Sequence, residues 1–183
     1  MTITQLRTER LVLRPWRDDD LLPWAALNAD PSVREFFPAP LNFEQSSQSM
    51  ELFRSELEAR GWGWWALEVV ATGEFIGFAG LDPTDETSPV PGVEIGWRLA
   101  KPAWGHGYAT EAAHVLLDFG FAERGLGLGE ILAITAAANL RSRAVMHRLG
   151  MTHDPSCDFD DPDMPPGPLR RSVVYRIARP RVA

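Results

Sequence analysis

The residues best suited to chemistry fall in one run, Glu94-Ile95-Gly96-Trp97-Arg98-Leu99-Ala100-Lys101-Pro102-Ala103-Trp104-Gly105-His106-Gly107-Tyr108-Ala109-Thr110-Glu111-Ala112. Its first part reads as a strand, its last part as the start of a helix, and Gly105 and Gly107 stand between them. Glycines in such a loop let successive backbone N–H groups turn toward one point, and a helix N-terminus adds partial positive charge, so the segment suits an anion such as a pyrophosphate. A plain tight turn into a helix uses the same residue types. The spacing excludes two other phosphate sites: there is no Gly-Lys-Ser/Thr of a P-loop and no third glycine of a dinucleotide fingerprint. Glu94, on the strand side, is a carboxylate that could take the proton of an attacking amine, because only a neutral amine is nucleophilic; a solvated or Arg-paired strand glutamate is the alternative. Glu111 reads as a carboxylate of the first helical turn or as a brace for the loop.

A second run, Asn139-Leu140-Arg141-Ser142-Arg143-Ala144-Val145-Met146-His147-Arg148-Leu149-Gly150-Met151, has an N-cap residue at its start and a glycine at its end. Other chemistry-bearing residues fit plainer roles. His114 and His147 read as helix residues, and His106 as a side chain tolerated between two glycines. Cys157 has no helix N-terminus or cation close in sequence to activate it as a nucleophile. Asp158, Asp160, Asp161 and Asp163 miss the calcium-loop pattern, with Asp163 where glycine is required and Leu169 where glutamate is required, so they read as a solvated loop that could border an acceptor mouth. In Gly61-Trp62-Gly63-Trp64-Trp65, alternation puts Trp62 and Trp64 on one strand face and Trp65 on the other; with Phe36 and Phe37 they are candidates for core or for an acceptor pocket.

The elements that must position these residues follow from periodicity. Thr8 to Trp16 alternates around an apolar centre and reads as an opening strand. Asp18-Asp19-Asp20 precedes a helix carrying Leu21, Leu22, Trp24, Ala25 and Leu27, and Asp30-Pro31 through Pro40 breaks it. Asn42 caps a second helix that ends before Gly61. Trp62 to Val70, Glu74 to Leu81 and Val93 to Leu99 are strands, the first two joined as a hairpin through Ala71-Thr72-Gly73. A helix from Gly107 to Phe121, a strand from Glu130 to Ala138, a helix from Leu140 to Leu149 and a strand from Ser172 to Ile177 complete the order. Strand–helix–strand succession demands a crossover and some parallel pairing, so the fold class is mixed α and β (α+β) around one mixed sheet flanked by helices.

Composition sets the outer limits. The chain has 183 residues, 45% hydrophobic and 23% charged, consistent with one globular domain over residues 1–183. No stretch approaches the roughly 18–20 apolar residues of a membrane span, and Met1 to Arg7 holds no apolar signal core. With a single cysteine there is neither an internal disulfide nor a metal cluster to build, so the expectation is a cytoplasmic protein without metal. A net charge of −7 disfavours nucleic acid and hints at a cationic partner such as an amine. Lys101 is the sole lysine among 18 basic residues, which leaves arginine as the main phosphate-pairing side chain.

Five ordered segments together resemble the GNAT superfamily of acetyl-CoA-dependent N-acetyltransferases, especially the branch of ribosomal-protein N-terminal (RimJ/RimL-like) acetyltransferases. They are Thr8 to Arg14, Asp30 to Val33, Gly73 to Leu81, Trp104 to Ala112 and Asn139 to Met151. The resemblance implies a splayed sheet and a defined set of site residues. Backbone N–H groups of Gly105, His106, Gly107, Tyr108, Ala109 and Thr110 would cradle the pyrophosphate of acetyl-CoA. Backbone of Trp97, Arg98 and Leu99 would pair with the pantetheine arm and polarise the thioester. Asn139 and Ser142 would lie at the pantetheine end, and Arg143 or Arg141 at the 3′-phosphate. Glu94 would act as base through water and Ser142 as acid, since the position that often carries a family tyrosine is Met146. Trp104 also departs from the Arg or Gln common there. The implied reaction is direct acetyl transfer to a primary amine, a protein N-terminus or a small amine, in a ternary complex; a homodimer would fit the family. The alternatives are a cofactor-binding regulator of the same fold without turnover and a nucleotide-binding domain.

Overall fold

A computed structural model describes residues 3–84 and 88–180. Two short strands, β1 (Leu6–Arg7) and β2 (Leu11–Arg14), stand where one opening strand is expected. The turn between them forms because the Thr8 hydroxyl accepts the Leu11 N–H at 2.9 Å. The acidic run is a single 3-10 turn, Asp18–Asp20, that feeds helix α1 (Leu21–Ala29). Helix α2 (Phe43–Arg60) is bounded as its sequence predicts: Asn42 and Gln45 exchange side chain-to-backbone hydrogen bonds, each at 2.9 Å, and Gly61 closes the helix at φ 79°.

The remaining elements are β3 (Trp64–Val69), β4 (Phe75–Pro83), β5 (Val93–Leu99), α3 (Tyr108–Phe121), β6 (Glu130–Ala136), α4 (Leu140–Arg148), β7 (Thr152–His153), β8 (Phe159–Asp160) and β9 (Arg171–Ala178). The sheet runs β1-β2-β3-β4-β5-β6-β9-β7, with β8 also paired to β9. Every neighbouring pair is antiparallel except β5 and β6, which are parallel and share a single registered pair, Glu94 with Leu132. Beyond that pair the two strands part, and the sheet carries the expected splay.

Helices cover both faces. Alternation on β3 places Trp65 edge-on to Phe119 of α3, at 5.8 Å, and Trp64 on the opposite face against Phe78 and Phe53, at 5.2 and 6.2 Å. Helix α3 lies so close to the sheet that a Cβ at Gly120 would meet Ile131 at 2.6 Å. On the other side α1 and α2 bring Trp24 and Phe53 onto Phe78, at 5.7 and 5.3 Å. Under α1 the buried Arg14 guanidinium is held by both Asp20 oxygens and by Glu68, each at 2.7 Å. The acidic stretch from Asp154 to Pro168 contains β8 and a 3-10 turn, and β8 pairs with β9 at the far end of the sheet.

Candidate active site

One cleft of about 1730 Å³ enters the splay between β5 and β6 and continues to Val33, Phe36 and Phe37 and to Phe53 of α2. Its first half is built by the loop after β5. Trp104 anchors that loop by donating its indole N–H to the Leu99 carbonyl at 2.8 Å. Gly105 and Gly107 then adopt φ of 79° and 80°, a region costly to any residue with a Cβ. As a result the six backbone N–H groups from Gly105 to Thr110 have no acceptor among the described residues, and they cap the N-terminus of the 14-residue α3. Such a row is a ready anion cradle. Glu111 braces it from below: its carboxylate accepts from Thr8 Oγ1 at 2.5 Å, from the Arg10 N–H at 3.0 Å and from Arg10 Nε at 2.7 Å, while Arg10 Nη1 donates to the His106 carbonyl at 3.0 Å. Burial works against the charged carboxylate, but these bonds outweigh it and hold Glu111 below the usual range.

Trp97, Arg98, Leu99, Gly105, Gly107, Tyr108, Ala109, Thr110, Asn139 and Ser142 all line the cleft, as does Glu94. From Gly96 onward the outer edge of β5 has no paired strand, so its backbone is free to bond an extended arm lying in the splay. Asn139 caps α4 by accepting the Ser142 N–H at 3.1 Å and donates to Thr135 Oγ1 at 3.1 Å, which fixes both residues at the mouth of the splay. Met146, also lining the cleft, is buried one turn further along α4.

Three expectations need correction. Arg143 turns away from the cleft, donating to the Ala137 carbonyl at 2.9 Å and to the Tyr175 hydroxyl at 3.2 Å, because its position on α4 faces β9 rather than the splay. Of the two candidates for the 3′-phosphate, Arg141 is the one that lines the cleft; it pairs with Glu35 at 2.6 Å and lies 4.6 Å over the Trp104 ring. The His106 side chain, read from sequence as tolerated between two glycines, stacks on Tyr108 at 5.6 Å and leaves only its backbone N–H to the cradle. The stretch from Asp154 to Pro168 contributes nothing to the cleft lining, and Cys157 does have a cation beside it, Arg176 Nη2 at 3.4 Å.

The second half of the cleft is aromatic, walled by Phe36, Phe37, Phe53, Trp64 and Phe78. Glu94, Gly96 and Arg98 face it from β5; a Cβ at Gly96 would touch the Trp64 ring at 3.0 Å, so glycine keeps the strand open there. Glu94 is titrated by its surroundings. Burial, then the charge of Asp82 directly opposite it on β4, push its carboxyl up to about 7. Asp82 is itself raised by burial in spite of its contact with Arg60, which also reaches Glu56 at 3.4 Å. Phe53, Phe78 and the Asp82–Arg60 pair were not visible as site residues, because nothing local in sequence ties them to Glu94. The Arg98 side chain was missed as well, since the residue was read only through its backbone, although alternation from Glu94 through Gly96 is the signal that puts it on the same face.

Among the described residues no group of three or more His, Cys, Asp or Glu side chains could hold a metal ion, and no helix is long and apolar enough to cross a membrane. A half-buried carboxyl titrating near neutrality, an anion cradle and an unpaired strand edge meet in one cleft, a combination able to hold an acyl carrier and deprotonate a nucleophile.

Known proteins share this design. The chain is 33% identical over 184 residues to the FsC-acetyl coenzyme A-N(2)-transacetylase of Aspergillus fumigatus, covering 95% of this chain and 76% of the relative. The crystal structure of an acetyltransferase from Agrobacterium tumefaciens superposes with a TM-score of 0.79 at 30% identity, covering 97% of this chain and 95% of that one. RimL, a ribosomal L7/L12 α-N-protein acetyltransferase solved with coenzyme A, shares the fold at a TM-score of 0.74 and 15% identity, over 96% of this chain and 98% of its own. Residues 10–152 match the family model described as an acetyltransferase (GNAT) domain, and the chain therefore belongs to the GNAT family of acetyl-CoA-dependent acetyltransferases.

Proposed function

We propose that this enzyme acetylates a primary amine by direct attack on acetyl-CoA within a ternary complex, with Glu94 as the base. The observation that carries the reading is the place of Glu94: it sits at the single β5–β6 pair, where the splay begins, and its carboxyl titrates at about 7. A base with that affinity for protons accepts one from an ammonium group near neutral pH, directly or through one water, and releases the neutral amine. The amine nitrogen then bonds the acetyl carbon while the carbon–sulfur bond breaks. Backbone N–H groups of Trp97 to Leu99 stabilise the charge that develops on the carbonyl oxygen. The nitrogen is positively charged once bonded and gives up its second proton to water, while the departing thiolate is protonated through the Ser142 hydroxyl, which takes a proton from solvent as it donates its own. The Gly105 to Thr110 cradle and the Asn139 end of α4 supply binding and orientation, which convert the encounter into a positioned reaction. By their names, RimL is an α-N-protein acetyltransferase and the Aspergillus relative an FsC N(2)-transacetylase.

The test is the pH profile of kcat/KM in wild type and Glu94→Gln. Wild-type activity should rise through about pH 7 as Glu94 loses its proton, and Glu94→Gln should lose that limb together with roughly 10²–10⁴-fold in rate. An unchanged profile in Glu94→Gln removes Glu94 from the mechanism.

A further inference from the structure

The aromatic half of the cleft holds a cation with no counter-charge. Arg98 projects into it, ringed by Phe37, Phe78 and Trp24, with its guanidinium carbon 4.3, 5.4 and 5.7 Å from the three ring centroids. Nη1 donates to Asn28 Oδ1 at 3.1 Å, while Nε is buried without an acceptor, as is the amide nitrogen of the fully buried Asn28. A second guanidinium, Arg34, also lies over the Phe37 ring, 4.2 Å from its centroid. Among the described residues neither arginine pairs with a carboxylate, although the chain has 25 acidic residues against 18 basic ones. Burial, then the Arg34 charge, pull Arg98 down to about 9, so the group remains charged at pH 7 in surroundings that penalise the charge. A buried charge with unmet donors is costly unless an ion of opposite sign completes it.

We infer that Arg98 is an anion subsite for the acceptor, so that the preferred substrate is an amine that also carries a carboxylate. This rests on the amine-acetylation reading above and narrows its substrate class. Arg98 lies on the face of β5 that bears Glu94, four residues further along the strand, or roughly 13 Å between Cα positions. Both side chains reach into the shared aromatic space and shorten that gap. An acceptor with its amine at Glu94 therefore presents its carboxylate to Arg98 when several bonds separate the two groups. The planar guanidinium offers the paired N–H donors that a carboxylate matches. Two sources supply this chemistry, a free amino acid and an acidic side chain near the N-terminus of a peptide.

The experiment compares matched acceptors in wild type, Arg98→Met and Asn28→Asp. The small-molecule arm uses glycine, β-alanine, 4-aminobutyrate and 5-aminopentanoate beside their carboxamides; the peptide arm uses tripeptides with Asp or Asn at the second position. Wild type should favour the carboxylate member of its best pair at least tenfold in kcat/KM, and the arm showing that preference identifies the source. Arg98→Met should abolish the preference, bringing the carboxylate and carboxamide members of each pair to equal kcat/KM whatever the variant's overall rate. Asn28→Asp places a carboxylate beside Arg98 from within, so it should also abolish the preference while raising Tm, an outcome that misfolding cannot imitate. Binding without turnover is read with glutarate as probe, which should raise Tm in wild type and not in Asn28→Asp. Equal turnover of carboxylates and carboxamides by wild type overturns the subsite and leaves amine acetylation standing. A glutarate shift with no acetylation of any amine supports the subsite and overturns the acetylation reading, and absence of both overturns the two together.

Discussion

A carboxyl group at the wall of a cleft, facing a second carboxyl across a strand pair, holds its proton more tightly than one in water, and Glu94 accordingly titrates at about 7. The same shift bears on stability. The folded protein binds a proton that the unfolded chain releases from about pH 4.5, so Glu94 costs nothing below that pH and progressively destabilises the fold as pH rises through 7. Glu94→Gln should therefore match wild type in Tm at pH 4 and exceed it at pH 8, by roughly 1–3 kcal/mol in urea titrations. Equal stability at both pH values would show that Glu94 titrates normally. The type and strand position of Glu94 were enough to nominate it from sequence, whereas its surroundings were not: Asp82 comes opposite it from β4, and Arg60 of α2 reaches Asp82, only once the sheet is assembled. Arg143 shows the opposite failure. It belongs to the same run as Asn139 and Ser142, but the helical turn points it toward Tyr175, and a two-residue difference in helix phase decides whether Arg141 or Arg143 reaches the cleft.

At the scale of the element, the loop from Trp104 to Gly107 and the first turn of α3 act as one rigid part. Gly105 and Gly107 give it left-handed backbone, and Glu111 ties it to the β1–β2 turn through Arg10 and Thr8. A Cβ at Gly105 would meet nothing within 4 Å, so Gly105→Ala should cost only the backbone strain of about 1–2 kcal/mol and leave acetyl-CoA binding measurable. Gly107→Glu adds bulk and negative charge to the cradle and should abolish that binding; calorimetric titration of both variants separates strain from charge. Binding that survives in Gly107→Glu would mean the cradle is not the anion site. Elements with strong end signals were legible. Helix α2 starts at Asn42 and stops at Gly61, and Val93–Leu99 carries its strand from end to end. The two-residue strands β1, β7 and β8 were not, because so few residues have no period to read and exist only through their sheet partners. The segment from Pro31 to Pro40 is similar: its prolines mark the end of α1, but that it folds back to set Phe36 and Phe37 in the cleft depends on tertiary contacts such as Arg34 Nε to the Ala39 carbonyl at 2.9 Å.

Over the whole molecule, net charge describes the surface and not the site. The chain carries −7, which suggested a cationic partner, yet the cleft is lined by Arg7, Arg10, Arg98, Arg141 and Arg148 against Glu9, Glu94, Glu111 and Asp118. Local placement of arginine reverses the sign where an anionic co-substrate has to enter. The splay has a mechanical side as well. With a single registered pair between β5 and β6, the sheet is two leaves on a hinge, β1 to β5 and β6 to β9, sharing the packing of α3. An extended ligand arm that bonds the open edge of β5 fills the place of a missing strand, so its departure leaves those amides exposed to solvent. Hydrogen exchange should then divide the protein along this seam: amides of Gly96 to Leu99 and of the α4 start gain protection when acetyl-CoA binds, while those shared by β3 and β4 exchange at the same rate with or without it. The enzyme would be least cohesive at the moment between product release and the next cofactor, and a protease or a chaperone sampling it in that interval would find the seam before any other part of the sheet.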